Sequence, residues 1–209
     1  MFFEPSKGHG LNHNPIAACV TPRPIGWIST CSKNGISNLA PFSYFNLVHN
    51  FPPTVMFACN GLKADGTPKD SWTNAQETGE FVYNVATYPL REEVNLTSTS
   101  WGSEIDEIKE AKLTGIKSNL VKPMRVAESP IQFECKTTKV IHLPSSSIEN
   151  PCNIVFGEVI GVHIDNSCFN DGRLDYNKVE QISRLGYLDY AIIGDIFSLP
   201  RPYQKKEQK

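Results

Sequence analysis

Apolar residues in this chain come in short runs that alternate or stay continuous, and each run stops at proline, glycine or asparagine before a helical repeat can establish itself. That punctuation suits strands joined by turns and leaves no place for the long crossover helices that a parallel sheet requires. The expected fold is mainly β: an antiparallel, closed or nearly closed barrel with a few short helices. The chain has 209 residues and 23.3 kDa, without internal repeat or long linker, so one domain with a sizeable core is expected.

The stretch Pro22–Asn46, PRPIGWISTCSKNGISNLAPFSYFN, is the segment around which the rest is expected to assemble. Ile25, Trp27 and Ile28 begin an apolar strand, Ser29 and Thr30 put hydroxyls at its far end, and Lys33-Asn34-Gly35 supplies a tight reversal. Beyond the turn, Ser37 to Asn46 mixes small residues, hydroxyls and amides with large aromatics, more polar groups than a pure core strand would hold. This pattern has two readings. Small residues let a flat ligand approach the backbone while amides and hydroxyls bond its edge and aromatics stack on its face; or this is an edge strand with a bulge at Pro41. Just before it, Ile16–Val20 is a short apolar run, and Pro22 and Pro24 bar regular pairing, leaving Arg23 on a stiff corner either solvated or facing an anion.

Further strands are expected at Thr54–Cys59, buried and central after the His49–Pro53 turn, at Glu80–Ala86, at Ile131–Ile141 and at Ile154–Ile164. Gly157 and Gly161 in the last of these mark a bulge or a close backbone approach. Pro68–Gly79 predicts a short helix whose start, with Lys69 and Ser71 beside unpaired N–H groups, is a seat for a phosphate; alternatively Asp70 or Ser71 is only an N-cap. Pro89–Ser98, with Leu90, Val94 and Leu96 partly on one side, and Lys178–Ile182 predict short structural helices, and 100–122 a surface excursion over a cofactor or a subunit interface. His163, near the end of its strand, is either a proton donor or a half-buried structural residue.

The wording PRPIGWIST, NLAPFSYFN, PP-x-V-MF and KDS-x-x-N resembles the flavin reductase-like family, in particular its flavoredoxin-type branch, from about Ile16 to about Leu199. The resemblance implies a split β-barrel, antiparallel and Greek-key in topology, that binds FMN at a homodimer interface. It implies contacts to FMN from Trp27, Ile28, Ser29 and Thr30, from Asn38, Ala40, Pro41, Phe42, Ser43 and Asn46, and from Lys69, Asp70, Ser71 and Asn74. Arg184 and Tyr187 join them, because the segment 184–191 is similar to one the family keeps near its flavin. Many members carry Gly-Asp-His where Pro151-Cys152-Asn153 stands here, which leaves NAD(P)H open as electron source. With the redox chemistry carried by FMN, no catalytic side chain is required, His163 being the one candidate. Three functions remain in play: an NAD(P)H-dependent flavin or ferric reductase, a flavoredoxin relaying electrons between proteins, and a non-catalytic flavin-binding module. Tyr44, Phe45 and Phe51 are expected to be exposed and to supply the dimer interface.

Composition excludes other classes. Twenty Lys and Arg against 22 Asp and Glu give a formal charge of −2, so no general attraction to nucleic acid or anionic lipid is expected. No apolar run approaches a membrane span, and the N-terminus reads as no signal peptide, so a cytoplasmic protein is expected. The six cysteines never form C-x-x-C; Cys19, Cys31, Cys59 and Cys135 read as reduced, small hydrophobes, and the histidines lack ligand spacing, so no metal is expected. No triad order and no G-x-G-x-x-G supports a hydrolase or a Rossmann enzyme. Around the expected domain at 16–199, residues 1–15 form an arm and 200–209 a charged tail in which order should end.

Overall fold

The computed structural model describes residues 1–148 and 150–202, so the end of the charged tail lies outside the described residues. A helical turn α1 (Ile16–Cys19) leads into β1 (Arg23–Pro24), β2 (Gly26–Cys31), β3 (Ser37–Phe42), β4 (Phe45–Asn50) and β5 (Pro53–Asn60). Helix α2 (Asp70–Thr78), β6 (Glu80–Val85), α3 (Arg91–Leu96) and α4 (Glu107–Glu110) come next, then the short ladder β7 (Gly115–Ile116) with β8 (Arg125–Val126). Two long strands, β9 (Ile131–Leu143) and β10 (Cys152–Ile164), precede the small hairpin β11 (Phe169–Asn170) and β12 (Arg173–Leu174), α5 (Tyr176–Val179), β13 (Ile182–Arg184) and β14 (Tyr190–Ile192).

The principal sheet has seven strands in the order β3-β2-β6-β9-β10-β5-β4. Its pairings are antiparallel throughout, as the turn-rich sequence requires. Its outermost strands, β3 and β4, are consecutive in the chain and separated only by Ser43 and Tyr44. Two residues reach less than about 10 Å, so the sheet has to roll until its edges nearly meet. Contacts across the seam bear this out: the Ala58 N–H donates to the Tyr44 carbonyl at 2.8 Å, and the Phe42 and Phe57 rings stand 5.2 Å apart. The result is a barrel left split between β3 and β4.

Strand β2 buries both faces. Ile28 joins Phe42, Phe45, Phe57, Phe81, Tyr83 and Val155 inside the barrel, whereas Trp27 packs with Ile25, Leu39, Val94, Ile108 and Val126 beneath the α3–α4 excursion. Burial pushes the thiols of Cys59 and Cys135 up, so these cysteines behave as inert packing groups. Cys19, read as a small hydrophobe, is exposed instead, because α1 is a single helical turn at the surface.

Several local expectations are corrected. Phe45 is buried and stacked on Tyr83 at 4.4 Å, because the first residue after the seam turns inward; Tyr44 and Phe51 remain exposed. Arg23–Pro24 does pair, with Ser183 and Arg184, since a two-residue edge tolerates a proline. No bulge occurs at Pro41, which sits in continuous register with Trp27. The helix expected over 178–182 lies at Tyr176–Val179 and stops where Glu180 takes a positive φ, freeing Ile182 for β13. Leu96 is exposed at the frayed end of α3.

The bulges anticipated in β10 fall at Phe156/Gly157 and Val159/Gly161. A Cβ on Gly157 would overlap the Phe81 ring in the centre of the core. Gly157→Ala is therefore expected to lower stability by about 1–3 kcal/mol, read as a reduced urea midpoint with unchanged slope. Gly194→Ala, where nothing lies within 4 Å, should leave the midpoint in place.

Candidate functional site

A cleft of about 220 Å³ opens along the outer edge of β3. Asn38, Ala40, Pro41 and Phe42 form one wall, and Leu62, Lys63 and Ala64 from the loop after β5 form the next. The start of α2 (Lys69, Asp70, Ser71), the segment 97–101 after α3, and Glu107 of α4 complete it.

The wall on β3 is a consequence of its edge position. Leu39 donates its backbone N–H outward to Glu107 Oε2 at 3.1 Å. Alternation then turns the backbone of Pro41 outward as well, where its missing N–H leaves no gap in the ladder, and turns the backbone groups of Ala40 and Phe42 toward β2. The N–H groups of Ala40 and Phe42 are thus not available to a ligand edge, and Pro41 has none, so only its carbonyl faces outward. Small Ala40 and flat Pro41 offer close approach instead.

At the helix start, Lys69 is the N-cap residue in extended conformation, its side chain makes no capping bond, and of the first-turn N–H groups that of Trp72 faces the Cys59 thiol. Asp70 and Ser71, read as alternative caps, lie inside the helix because each has another partner. Asp70 forms an ion pair with Lys63 at 3.0 Å and accepts from Ser103 Oγ at 2.7 Å. Lys63, only 7% exposed along its side chain, is spent on that pair. Lys69 lines the cleft and forms no ion pair among the described residues. The site thus keeps one uncommitted cation beside the unpaired N–H groups of a nine-residue helix.

Below this lies a buried polar floor. Thr30 Oγ1 accepts from Asn38 Nδ2 at 3.2 Å and from Asn74 Nδ2 at 3.1 Å, and Asn38 Nδ2 also reaches Ser71 Oγ at 2.9 Å. The i, i+3 spacing in Lys-Asp-Ser-x-x-Asn places Ser71 and Asn74 on one face of α2. That face docks the helix on β2 and β3. Thr30 and Asn74 support the cleft from below rather than line it.

Other expected site residues lie away from the cleft. Trp27 donates Nε1–H to Thr97 Oγ1 at 2.9 Å and anchors the 97–101 wall from within, and Ile28 is wholly core. Ser29 donates to the Met124 carbonyl at 2.5 Å, and its backbone stands in register with both Leu39 and Val82. Ser43 and Asn46 fall at the seam and on β4, outside the lining. Arg184 donates to Tyr190 Oη at 2.6 Å and to the Tyr187 carbonyl, on the small sheet β1-β13-β14, and Tyr187 packs against His13. Arg23 gives its guanidinium to the carbonyls of Ala17, Val20 and Leu185.

His163 sits on β10, separated from β3 by three strands in the sheet order, and is paired with Glu134 at 2.6 Å. Burial works to raise the Glu134 carboxyl, but the Asn119 N–H, His163 and the Leu120 N–H hold it below its ordinary value. The pair fastens the 117–125 loop to β9 and is no part of the cleft. In the tripeptide 151–153, Asn153 is buried with Oδ1 at 2.5 Å from His142 Nδ1.

Sequence reasoning singled out neither Lys63 nor 97–99, and it held Ser100, Trp101 and Glu107 only within the 100–122 excursion expected over a cofactor or an interface. The four consecutive hydroxyls Thr97-Ser98-Thr99-Ser100 were the available signal for the wall. Glu107 carried none, since a glutamate in a charged excursion reads as solvated. It is 6% exposed. Burial pushes its carboxyl up, its own N–H and that of Leu39 pull it back, and Asp70 and Asp106 add to the rise, which leaves it at about 7.

This sets a pH dependence. The unfolded chain releases the proton near ~4.3, whereas the folded chain holds it to about 7, so between these values the folded state binds more protons. Stability from this group therefore falls as pH rises through the window and stays low above it. Glu107→Gln, whose amide oxygen still accepts from Leu39, should match wild type near pH ~4 and exceed it near pH ~8 by on the order of 1–2 kcal/mol after allowance for water reaching the cleft. Urea unfolding at both pH values measures the difference, and a variant less stable at the higher pH would contradict the assignment.

The model for the flavin reductase like domain matches residues 18–181. An uncharacterized protein of Halalkalibacterium halodurans is 37% identical over 191 residues, 91% of each chain. The crystal structure of nitrilotriacetate monooxygenase component B from Bacillus cereus superposes with a TM-score of 0.87 at 30% identity, covering 95% of this chain and 98% of that one. The flavoredoxin of Desulfovibrio vulgaris, at 18% identity, shares the split-barrel fold with a TM-score of 0.74 over 92% of this chain and 96% of its own. With a family match over most of its length and a relative this similar end to end, the chain belongs to the flavin reductase-like domain family.

Proposed function

We propose that this protein is an FMN-binding oxidoreductase, a flavin or ferric reductase fed by NAD(P)H, and that it works as a homodimer. The observation that carries the reading is the start of α2, where Lys69 neither caps the helix nor forms an ion pair among the described residues, facing a cleft whose far wall is the flat edge of β3. A phosphate fits the donor set at the helix start, because the α2 N–H groups and Lys69 are donors only and Asp70 is already neutralised by Lys63. The hydroxyls of Ser98, Thr99 and Ser100 suit a polyol chain, and Ala40 and Pro41 suit a flat ring. FMN, when bound, supplies the redox chemistry through its ring system. The chain's part is to hold the phosphate with Lys69 and α2, to present β3 to the ring, and to exclude water with Phe42 and Trp101.

The dimer is supported by Tyr44, Leu47 and Phe51, the last 88% exposed, which are spread from the seam along edge strand β4 to its far end, where a second subunit would cover them. A second reading, electron relay between proteins as in a flavoredoxin, is favoured by Pro151-Cys152-Asn153, where Asn153 is turned into the barrel wall toward His142 rather than offered to a nicotinamide. Anaerobic stopped-flow mixing of the flavin-loaded protein with NADH and NADPH decides between them: bleaching within seconds supports the reductase, and none with either donor leaves the relay.

The phosphate seat is tested separately. Lys69→Ala should weaken FMN roughly ten- to a hundredfold, the effect of losing a charge-assisted contact of about 1.5–3 kcal/mol. Riboflavin, lacking the phosphate, should bind both proteins equally in fluorescence-quenching titrations. Equal losses for the two flavins would assign Lys69 to the fold instead.

A further inference from the structure

Among the described residues, Glu107 is a carboxylate without a cationic partner, set in the wall of the cleft. It accepts from the Leu39 N–H on β3, and the 97–101 wall beside it brings no charge. From α2 come Asp70 and Lys69, from the loop after β5 comes Lys63, and its own helix carries Asp106, Lys109 and Glu110. Of the cations, Lys63 is held by Asp70 at 3.0 Å and Lys109 by Asp106 at 3.1 Å. Lys69, with FMN bound as proposed, faces the phosphate. No cation among the described residues is thus left to fix the charge on Glu107, and any negative charge arriving in the cleft acts on it through a poorly solvated medium.

We propose that Glu107 is the proton acceptor coupled to electron uptake in this cleft, taking one proton from solvent when a flavin bound there is reduced. The inference rests on the flavin-binding reading. Two electrons and one proton, delivered together as hydride by a dihydronicotinamide or separately by dithionite and water, convert oxidised flavin to its reduced anion. The added negative charge then draws a further proton onto Glu107, so that the carboxylate becomes a carboxylic acid and the charge of the cleft is unchanged. Its carboxyl, at about 7 in the protein itself, stands where added negative charge changes its state near neutrality.

The test uses FMN-loaded wild type and Glu107→Gln, reduced anaerobically by dithionite at a pH of about 8, where the oxidised wild type holds little of this proton. Proton uptake is read with a pH-indicator dye in weak buffer. Wild type should take up more protons per flavin than the variant, by a measurable fraction of one up to one full proton. Correspondingly, its midpoint potential should fall more steeply with pH, by about 30 mV per unit for one extra proton per two electrons. Equal uptake and equal slopes would overturn the proposal. Should the variant fail to fold, the reduced-minus-oxidised infrared spectrum of wild type alone decides. A new protonated-carboxyl band that shifts in D₂O supports the proposal, and its absence overturns it. FMN binding is measured first by quenching; a protein that binds no FMN overturns the underlying reading and this inference together, whereas binding with equal uptake overturns the inference alone.

Discussion

Two residues, Ser43 and Tyr44, join the outermost strands of a seven-stranded sheet, and both the barrel and its cleft depend on that shortness. A longer connection would let the sheet stay open, with β3 and β4 as distant edges. With only two residues the sheet must roll, and the Phe42, Phe45 and Phe57 rings that flank the seam are driven into one core. Rolling does not remove the edges, however. Strand β3 still carries outward amides, and an unpaired edge invites other chains to add to it. The α3–α4 excursion answers this by laying the 97–101 segment and Glu107 along it. The cleft is the space left between an edge and its cover.

Charge placement within that space is unequal in a useful way. Asp70 and Lys63 neutralise one another under Ser103, Asp106 is turned onto its own helix and Lys109, and Glu134 serves the far side of the barrel. Lys69 and Glu107 are left as the uncommitted ions, one at the helix start and one against the edge strand. A fold selected only for stability would pair them or replace them, because an unpaired carboxylate at 6% exposure is costly. Thr30 and Asn38 tell the same story from below. Their hydrogen bonds to α2, each worth about 1 kcal/mol, fix the direction of the helix start and thereby of its free N–H groups.

The sheet was legible in the sequence because strand and turn signals are local. Lys33-Asn34-Gly35 between two apolar runs, the paired glycines of β10 and Gly79 at the end of α2 each state their role within a few residues. What the sequence concealed is which face a residue takes once β2 has both faces buried. Ser29 and Thr30 are neighbours in the chain, yet one bonds the Met124 carbonyl and the other joins Asn38 and Asn74. A strand sandwiched in this way lacks the polar side that would separate ligand contacts from support. In the fold 27–30 sit in core and scaffold, while Ala40, Pro41, Lys69 and Ser71 line the cleft. Lys63 and Glu107 were hidden for a different reason, since burial of a charged residue is decided by segments more than 30 positions away.

Glu107 also shows why edge protection and chemistry fall on the same residue. The Leu39 N–H has to be met by an acceptor held outside the sheet, and a neutral group would satisfy it at lower cost than a carboxylate. An amide, however, binds no proton near neutrality. Choosing a carboxylate keeps the edge covered in both protonation states, because either carboxyl oxygen accepts from the amide while the other exchanges its proton with the cleft. The stability forfeited by burying an acid is then the physical counterpart of a group whose charge follows the charge of whatever the cleft holds, and the cover that protects β3 becomes the part of the wall able to respond to it.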